Sequence, residues 1–247
     1  MQILGIDIGG TGIKGAPVDL TTAALTTERF RVETPRPAKP KAVAKAVQKI
    51  VDHFNWKGPI GFGFPTVIVN GKAMAYGNMH KSWLGVQIDK LFSEKTGLPC
   101  VVINDADAAG MAEVRFGSGK NINGLVLTIT VGTGIGSGLY NNGILIPNFE
   151  LGRIPYNNEP IEKYVANSVR KAQNLTYKQW AHRFNFFLDT VESICTPDQY
   201  IIGGGISKHM DEFKKYITTD IPFTAAQMKN NAGIIGAACA YEAKINS

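Results

Sequence analysis

Asp7 closes an apolar run, Ile3-Leu4-Gly5-Ile6, and is followed within a few residues by Gly9, Gly10, Thr11, Gly12 and Lys14. A carboxylate beside a bare-backbone turn suits a phosphate and its metal ion. Glycines let backbone amides come close to such a ligand. Lys14 and Thr11 add a cation and a hydroxyl for anionic oxygens. A second candidate group is Asn104-Asp105, at the junction of an apolar strand and an Ala-rich helix. Phosphoryl transfer needs charge neutralisation and a carboxylate that takes the acceptor's proton, and Asp105 is the candidate for that role. A helix N-cap would account for the same aspartate. Asp107 is the competing carboxylate, expected to point elsewhere from its place along the helix. Two more glycine runs follow. Gly132-Thr133-Gly134 offers amides and a hydroxyl to a donor's phosphates. Gly203-Gly204-Gly205, with Ser207 and Lys208, offers a helix start and a cation. Each run taken alone is also what a tight turn requires.

The elements around these residues decide which readings survive. Gly10 to Gly15 formally matches the G-x-G-x-x-G dinucleotide fingerprint, but that motif needs a helix after the turn. Pro17 disfavours one, so a strand-turn-strand hairpin is expected, with a second strand over Ile13 to Leu20. Apolar residues from Val43 to Phe54 recur at helical spacing. Strands are expected at Ile60 to Phe64 and Val101 to Ile103, with a hairpin around Asn70-Gly71. A helix over Val86 to Lys95 ends at Gly97, and another runs from Ala106 to Phe116. A second strand cluster covers Gly124 to Val131, Ile135 to Tyr140 and Ile144 to Ile146. Helices then follow at Pro160 to Gln173 and Tyr177 to Cys195, the latter with an aromatic stripe most simply read as core. A strand at Gln199 to Ile202 and helices at Ser207 to Ile217 and Ala232 to Lys244 complete the chain. Phe116 to Asn121 echoes a P-loop, but Val114 replaces its first glycine and Asn121 the magnesium-binding hydroxyl, so it reads as a helix-terminating turn.

Composition narrows the function classes. The 247 residues are 44% hydrophobic and 19% charged, ordinary for a globular protein with two lobes. The net charge of +6 comes without a basic run, so no nucleic-acid partner is expected. No segment is long and apolar enough for a membrane helix, and no signal peptide is read at the start. Cys100, Cys195 and Cys239 are scattered, which favours a reducing cytoplasm, and neither they nor the dispersed histidines form a zinc signature.

The chain resembles the ROK (repressor, open reading frame, kinase) family, and within it the polyphosphate-using glucokinases. The likeness runs nearly end to end. It is carried by Asp7 to Gly15, Ile103 to Ala109, Gly132 to Gly136, Leu175 to Ala181 and Pro197 to Lys208. It implies an α/β, two-lobed actin-like ATPase (ribonuclease H-like) sugar kinase fold with an interlobe cleft. A smaller α/β lobe would span 1–106, joined by a C-terminal helix at about 233–247, and a larger α/β lobe 107–232. Asp105 would deprotonate the sugar 6-hydroxyl, and Asn78, Asn104, Glu150, Arg153 and Glu162 would surround the sugar. Asp7, Gly9, Gly10, Thr11, Gly12, Lys14, Thr133 with its flanking glycines, and the Gly203 loop with Lys208 would handle phosphates. Asp7 would also serve Mg2+; zinc is not implied. The donor would be polyphosphate, ATP or both, the acceptor most simply glucose, and the assembly a homodimer.

Four positions depart from the family pattern, all around the acceptor: Thr66 for glycine, His80 for aspartate, Phe149 for threonine, and Arg153 for the histidine of Glu-x-Gly-His. A buried unpaired cation costs several kcal/mol, so Arg153 must find an anion, reach an anionic acceptor, or turn to solvent. A different sugar or polyol is therefore the alternative acceptor. A sugar-responsive regulator would need a helix-turn-helix ahead of this fold, and none is expected before the strand that starts at Gln2.

Overall fold

The run Gln2–Ile8 forms β1, whose Ile3, Leu4, Ile6 and Ile8 are fully buried, as befits a strand covered on both faces. It lies within a computed structural model that describes residues 1–77 and 79–245. β1 pairs antiparallel with β2 (Gly12–Asp19), which carries β3 (Ala24–Leu25) and β4 (Phe30–Glu33). Helix α1 (Pro40–His53) starts with Pro at a position that needs no N–H, and buries Val43, Val47 and Ile50. β5 (Ile60–Phe64) then pairs parallel with β1. A small hairpin, β6 (Ile68–Val69) and β7 (Lys72–Ala73), turns through Asn70 and Gly71, both at positive φ. α2 (Ile88–Thr96) ends on Gly97 at φ 71°. β8 (Cys100–Asn104) completes the order β3-β2-β1-β5-β8 and runs straight into α3 (Asp105–Phe116).

The second sheet has the order β11-β10-β9-β14-β15. Its strands are β9 (Leu125–Val131), β10 (Ile135–Asn141), β11 (Ile144–Ile146), β14 (Gln199–Gly203) and β15 (Phe223–Ala225). Between β11 and β14 lie β12 (Pro155–Tyr156), β13 (Glu159–Pro160), α4 (Glu162–Val165), α5 (Asn167–Ala172) and α6 (Tyr177–Glu192). α6 begins with a reciprocal capping box between Thr176 and Gln179 and buries Trp180, Phe184, Phe187 and Val191. α7 (Met210–Phe213) sits between two 3-10 turns, and α8 (Ala232–Ile245) ends the chain.

The chain divides into two compact units, Met1–Ala112 with Asn230–Ser247, and Glu113–Lys229. The division therefore falls inside α3, later than the 106/107 boundary expected from the sequence. α8 belongs to the first unit, and its fit explains its small residues. A Cβ on Gly61 of β5 would stand 1.7 Å from the Ala237 carbonyl oxygen, and one on Gly236 1.5 Å from that of Ala108. Backbone thus rests directly on backbone. In the second unit the buried Glu113 carboxylate accepts the amides of Ser118, Gln227 and Met228 at 3.1, 3.0 and 2.6 Å, tying down the end of α3.

Two expected helices are broken. Pro160 to Gln173 was expected as one helix; Pro160 lies in β13, and Ala166 is extended (φ −61°, ψ 151°) between α4 and α5. Tertiary bonds win there: the Trp180 indole donates to the Val165 carbonyl at 2.7 Å, and the Ser168 amide to that of Gly132 at 3.0 Å. Ser207 to Ile217 is α7 flanked by 3-10 turns at Gly205–His209 and Lys214–Tyr216, closed by bonds such as Ser207 N–H to Gly204 carbonyl. The segment after α3 is a helix end, with the Gly117 and Gly119 amides on the Glu113 carbonyl and Asn121 at φ 64°. Among the described residues no helix is long and apolar enough to cross a membrane.

Candidate active site

In the first unit, three parallel strands bring their carboxyl ends together. The register sets Asp7 of β1 beside Gly63 of β5, and Gly63 beside Ile103 of β8. A Cβ on Gly63 would lie 3.4 Å from the Asp105 Cα, so the bare strand lets the start of α3 sit close. The start of α8 closes on Asp7 in the same way, a Cβ on Gly233 falling 2.9 Å from its carboxyl carbon. Burial pushes the Asp7 carboxyl up from its ordinary range, with the Lys14 cation pulling it down.

The first glycine turn joins β1 to β2. The Gly9 amide donates to the Gly12 carbonyl at 3.0 Å. β4 and the residue after it hold the turn from outside: the Thr34 hydroxyl donates to the Gly9 carbonyl at 2.5 Å, and the Arg31 guanidinium to that of Thr11 at 3.0 Å. The amides of Gly10 and Thr11 donate to nothing among the described residues. Around Gly10 no atom lies within 4 Å of where a Cβ would stand, and its φ is not positive. Neither packing nor backbone conformation requires glycine there; what it leaves is open space before two amides.

Asn104 caps α3: its side-chain oxygen accepts the amides of Ala106 and Asp107 at 2.7 and 3.1 Å, and its amide donates to the Thr66 carbonyl at 3.1 Å. The Ala106 amide is shared, donating also to Asp105 Oδ1 at 2.9 Å. Asp105 is the first helical residue and only partly buried, while Asp107 is buried at 1% exposure. The capping role that could have explained an acid at position 105 is thus carried by Asn104, with Asp105 sharing the Ala106 amide. Of the departures in this unit, Thr66 is buried beside Asn104, and His80 caps the turn Lys81–Trp83, its ring nitrogen accepting the Ser82 amide at 3.2 Å. An imidazole does there what a carboxylate can do. Asn78 lies outside the described residues.

The second unit repeats the device. Between β9 and β10 the Gly132 amide donates to the Gly134 carbonyl at 3.0 Å. Ser168 of α5 ties the carbonyls back, its amide on Gly132 at 3.0 Å and its hydroxyl on Thr133 at 2.6 Å. Thr133 is exposed, and nothing lies within 4 Å of a Cβ on Gly132. Gly204, at φ 76°, abuts the end of β9: a Cβ there would meet the Val131 carbonyl oxygen at 2.6 Å. The Gly203-Gly204-Gly205 run is thereby set against the strand that leads into the Gly132 turn, and Lys208 follows, exposed.

The unit's acids gather at the same turn. Glu162, first residue of α4, accepts the Ile135 amide at 3.0 Å, and a Cβ on Gly134 would stand 2.2 Å from its carboxylate. Glu150 precedes and Arg153 ends the 3-10 turn Leu151–Arg153, which is held by Ser137 through the Phe149 carbonyl and the Leu151 amide. Arg153 Nε lies 3.3 Å from Glu150 Oε2, with the two side chains 51% and 27% exposed. Burial raises the Glu150 carboxyl, Arg153 opposes the rise, and Glu162 adds to it. Sequence reasoning had missed Arg31, Thr34, Ser168 and Gly233, which act through sheet register and helix packing that no local motif announces.

This geometry has relatives. The ROK family model matches residues 3–148. The polyphosphate glucokinase of Mycobacterium tuberculosis (strain ATCC 25618 / H37Rv) is 43% identical over 237 residues, 96% of this chain and 89% of its own. That of Mycobacterium leprae (strain TN) is 40% identical over 242 residues, 98% of this chain and 75% of its own. Among solved structures, the inorganic polyphosphate/ATP-glucomannokinase of Arthrobacter sp. strain KM superposes with a TM-score of 0.91 at 41% identity, covering 100% of this chain and 99% of that one. A ROK family glucokinase from Streptomyces griseus, crystallised with glucose and AMPPNP, gives a TM-score of 0.82 at 23% identity over 98% of this chain and 100% of that one. At that identity the likeness is one of fold, the mixed α/β actin-like ATPase fold of sugar kinases.

Proposed function

The chain belongs to the ROK family and is a carbohydrate kinase, and we propose that it moves a phosphoryl group from polyphosphate or ATP to the 6-hydroxyl of glucose. The observation that carries the reading is the emptiness at Gly10 and Gly132, where glycine serves neither packing nor φ. Each leaves amides bare in a turn most of whose carbonyls are tied away, the arrangement an anionic phosphate chain needs.

In this reading Asp105 accepts the proton of the sugar hydroxyl as its oxygen bonds to phosphorus. The bridging phosphoanhydride bond breaks, leaving ADP or a polyphosphate one unit shorter. Asn104, Glu150 and Glu162, together with Asn78, bind sugar hydroxyls. Gly9 to Gly12, Lys14, Gly132 to Gly134 and the Gly203 to Gly205 run with Lys208 bind the donor. Among the described residues no cluster of three metal-ligating side chains occurs. Asp7 suits Mg2+ nonetheless, since that ion takes one or two carboxylates and completes its shell with water and substrate phosphates. Bound there, it would neutralise charge on the transferring group. The family resemblance adds a homodimer, and the scattered cysteines a reducing cytoplasm.

The Arg153–Glu150 pair favours glucose over an anionic acceptor, because the cation already has a carboxylate of its own chain. A coupled assay tests this with glucose, mannose and gluconate, an anionic acceptor that keeps its 6-hydroxyl, each with polyphosphate and with ATP. Turnover on glucose, yielding glucose 6-phosphate, is expected; turnover on gluconate alone would overturn the acceptor assignment.

A further inference from the structure

The register across β1, β2 and β4 sets Asp7 opposite Lys14 and Lys14 opposite Arg31. Residues directly opposed on neighbouring strands project from the same face, so the three side chains form one row. Like charges placed opposite each other disfavour the pairing, yet Lys14 and Arg31 stand so, and neither makes an ion pair among the described residues. Glu33, next on that face of β4, does not pair with them either.

Arg31 is exposed but not loose. Its guanidinium donates to the Thr11 carbonyl at 3.0 Å and lies against Gly12, where a Cβ would come within 2.6 to 2.9 Å of it. The bare residue at position 12 therefore lets a planar cation lie on the turn. A guanidinium carries five N–H donors in a fixed fork suited to phosphate oxygens, and the bond to Thr11 uses one.

Resting on the kinase reading above, we infer that Arg31 is a further donor-binding residue, gripping a phosphate of the phosphoanhydride chain next to the one held by Lys14 and the Gly10-Thr11-Gly12 turn. The shared chemistry is a run of linked phosphates, whether inorganic polyphosphate or the triphosphate of a nucleotide.

Arg31→Gln removes the charge while keeping an N–H for the Thr11 carbonyl; Arg31→Lys restores the charge without the fork. Donor KM is measured with polyphosphate and with ATP, glucose KM alongside, and tripolyphosphate binding by calorimetry without sugar. The Gln variant should raise donor KM and weaken tripolyphosphate binding about tenfold, roughly the effect of one charge-assisted bond. Glucose KM and the melting midpoint should stay at wild-type values, and Lys should recover part of the loss. A rise with both donors assigns Arg31 to phosphates common to them; a rise with polyphosphate alone assigns it to the inorganic chain. Unchanged donor KM and tripolyphosphate affinity would overturn the inference, as would a Gln variant that melts early and loses glucose affinity equally. Wild-type protein that binds tripolyphosphate through Arg31 but phosphorylates no sugar would instead sink the kinase reading and leave this one standing.

Discussion

Arg153 shows what one substituted residue does to its surroundings. It replaces a histidine of the family pattern, and of the three fates open to it, the structure gives it Glu150 as partner while half its surface stays in solvent. That pairing has a pH consequence. Burial and Glu162 raise the Glu150 carboxyl, and Arg153 holds the rise in check. If the ionised carboxylate receives the sugar hydroxyl, glucose KM climbs as pH falls through the raised pKa. Arg153→Ala removes the restraint, so the acid limb of kcat/KM for glucose should move to higher pH while donor KM holds. A limb that stays in place, or moves toward acid, would show that Glu150 does not bind the sugar as a carboxylate. Asp105 teaches the complementary point. An acid at a strand-helix junction reads as cap or base from sequence alone; in the structure the Asn104 oxygen takes two of the helix's first amides and Asp105 shares one of them.

Glycine divides into two kinds at the scale of elements. Gly61 is structural, because α8 lays its backbone where a Cβ would stand. Gly61→Ala should cost about 3 kcal/mol, at the upper end of overpacking effects, read as a lowered urea midpoint. Gly10 faces open space, so Gly10→Ala should change stability by less than about 0.5 kcal/mol while donor KM rises several-fold. Equal stability losses at both positions would contradict the distinction. Hydrophobic period and turn chemistry made most elements legible: α1, α3, α6, α8, the Asn70-Gly71 hairpin and the strands around both glycine turns lie near where they were read. Legibility failed where bonds from distant residues outcompeted local preference. The Trp180 indole and the Gly132 carbonyl break the helix expected after Pro160, and β4 carries Arg31 to the turn by register alone.

Across the whole molecule, each of the two units is built on its own five- or six-stranded sheet, and each has a glycine-rich β-hairpin turn, of four residues in the first (Gly9 to Gly12) and three in the second (Gly132 to Gly134). The Gly9–Gly12 and Gly132–Gly134 bonds are both 3.0 Å, and hydroxyls of Thr34 and Ser168 hold back carbonyls in each. The repetition was visible in the sequence as two glycine-rich strand junctions. What the sequence could not supply was the outer scaffold of each turn, drawn from segments more than twenty residues away. In the proposed reaction such turns would position a phosphate chain, and the chemistry also needs a group to take the proton. The most direct measurement is therefore glucose phosphorylation by Asp105→Asn, with polyphosphate and ATP as donors and the melting midpoint as control. Asn at a first helical position keeps the size and polarity of the side chain, so the variant should fold as wild type and bind donor normally. Turnover is expected to fall at least about 100-fold, the lower bound for losing a general base. Turnover within about threefold of wild type, far inside that bound, would contradict the assignment on which the mechanism stands.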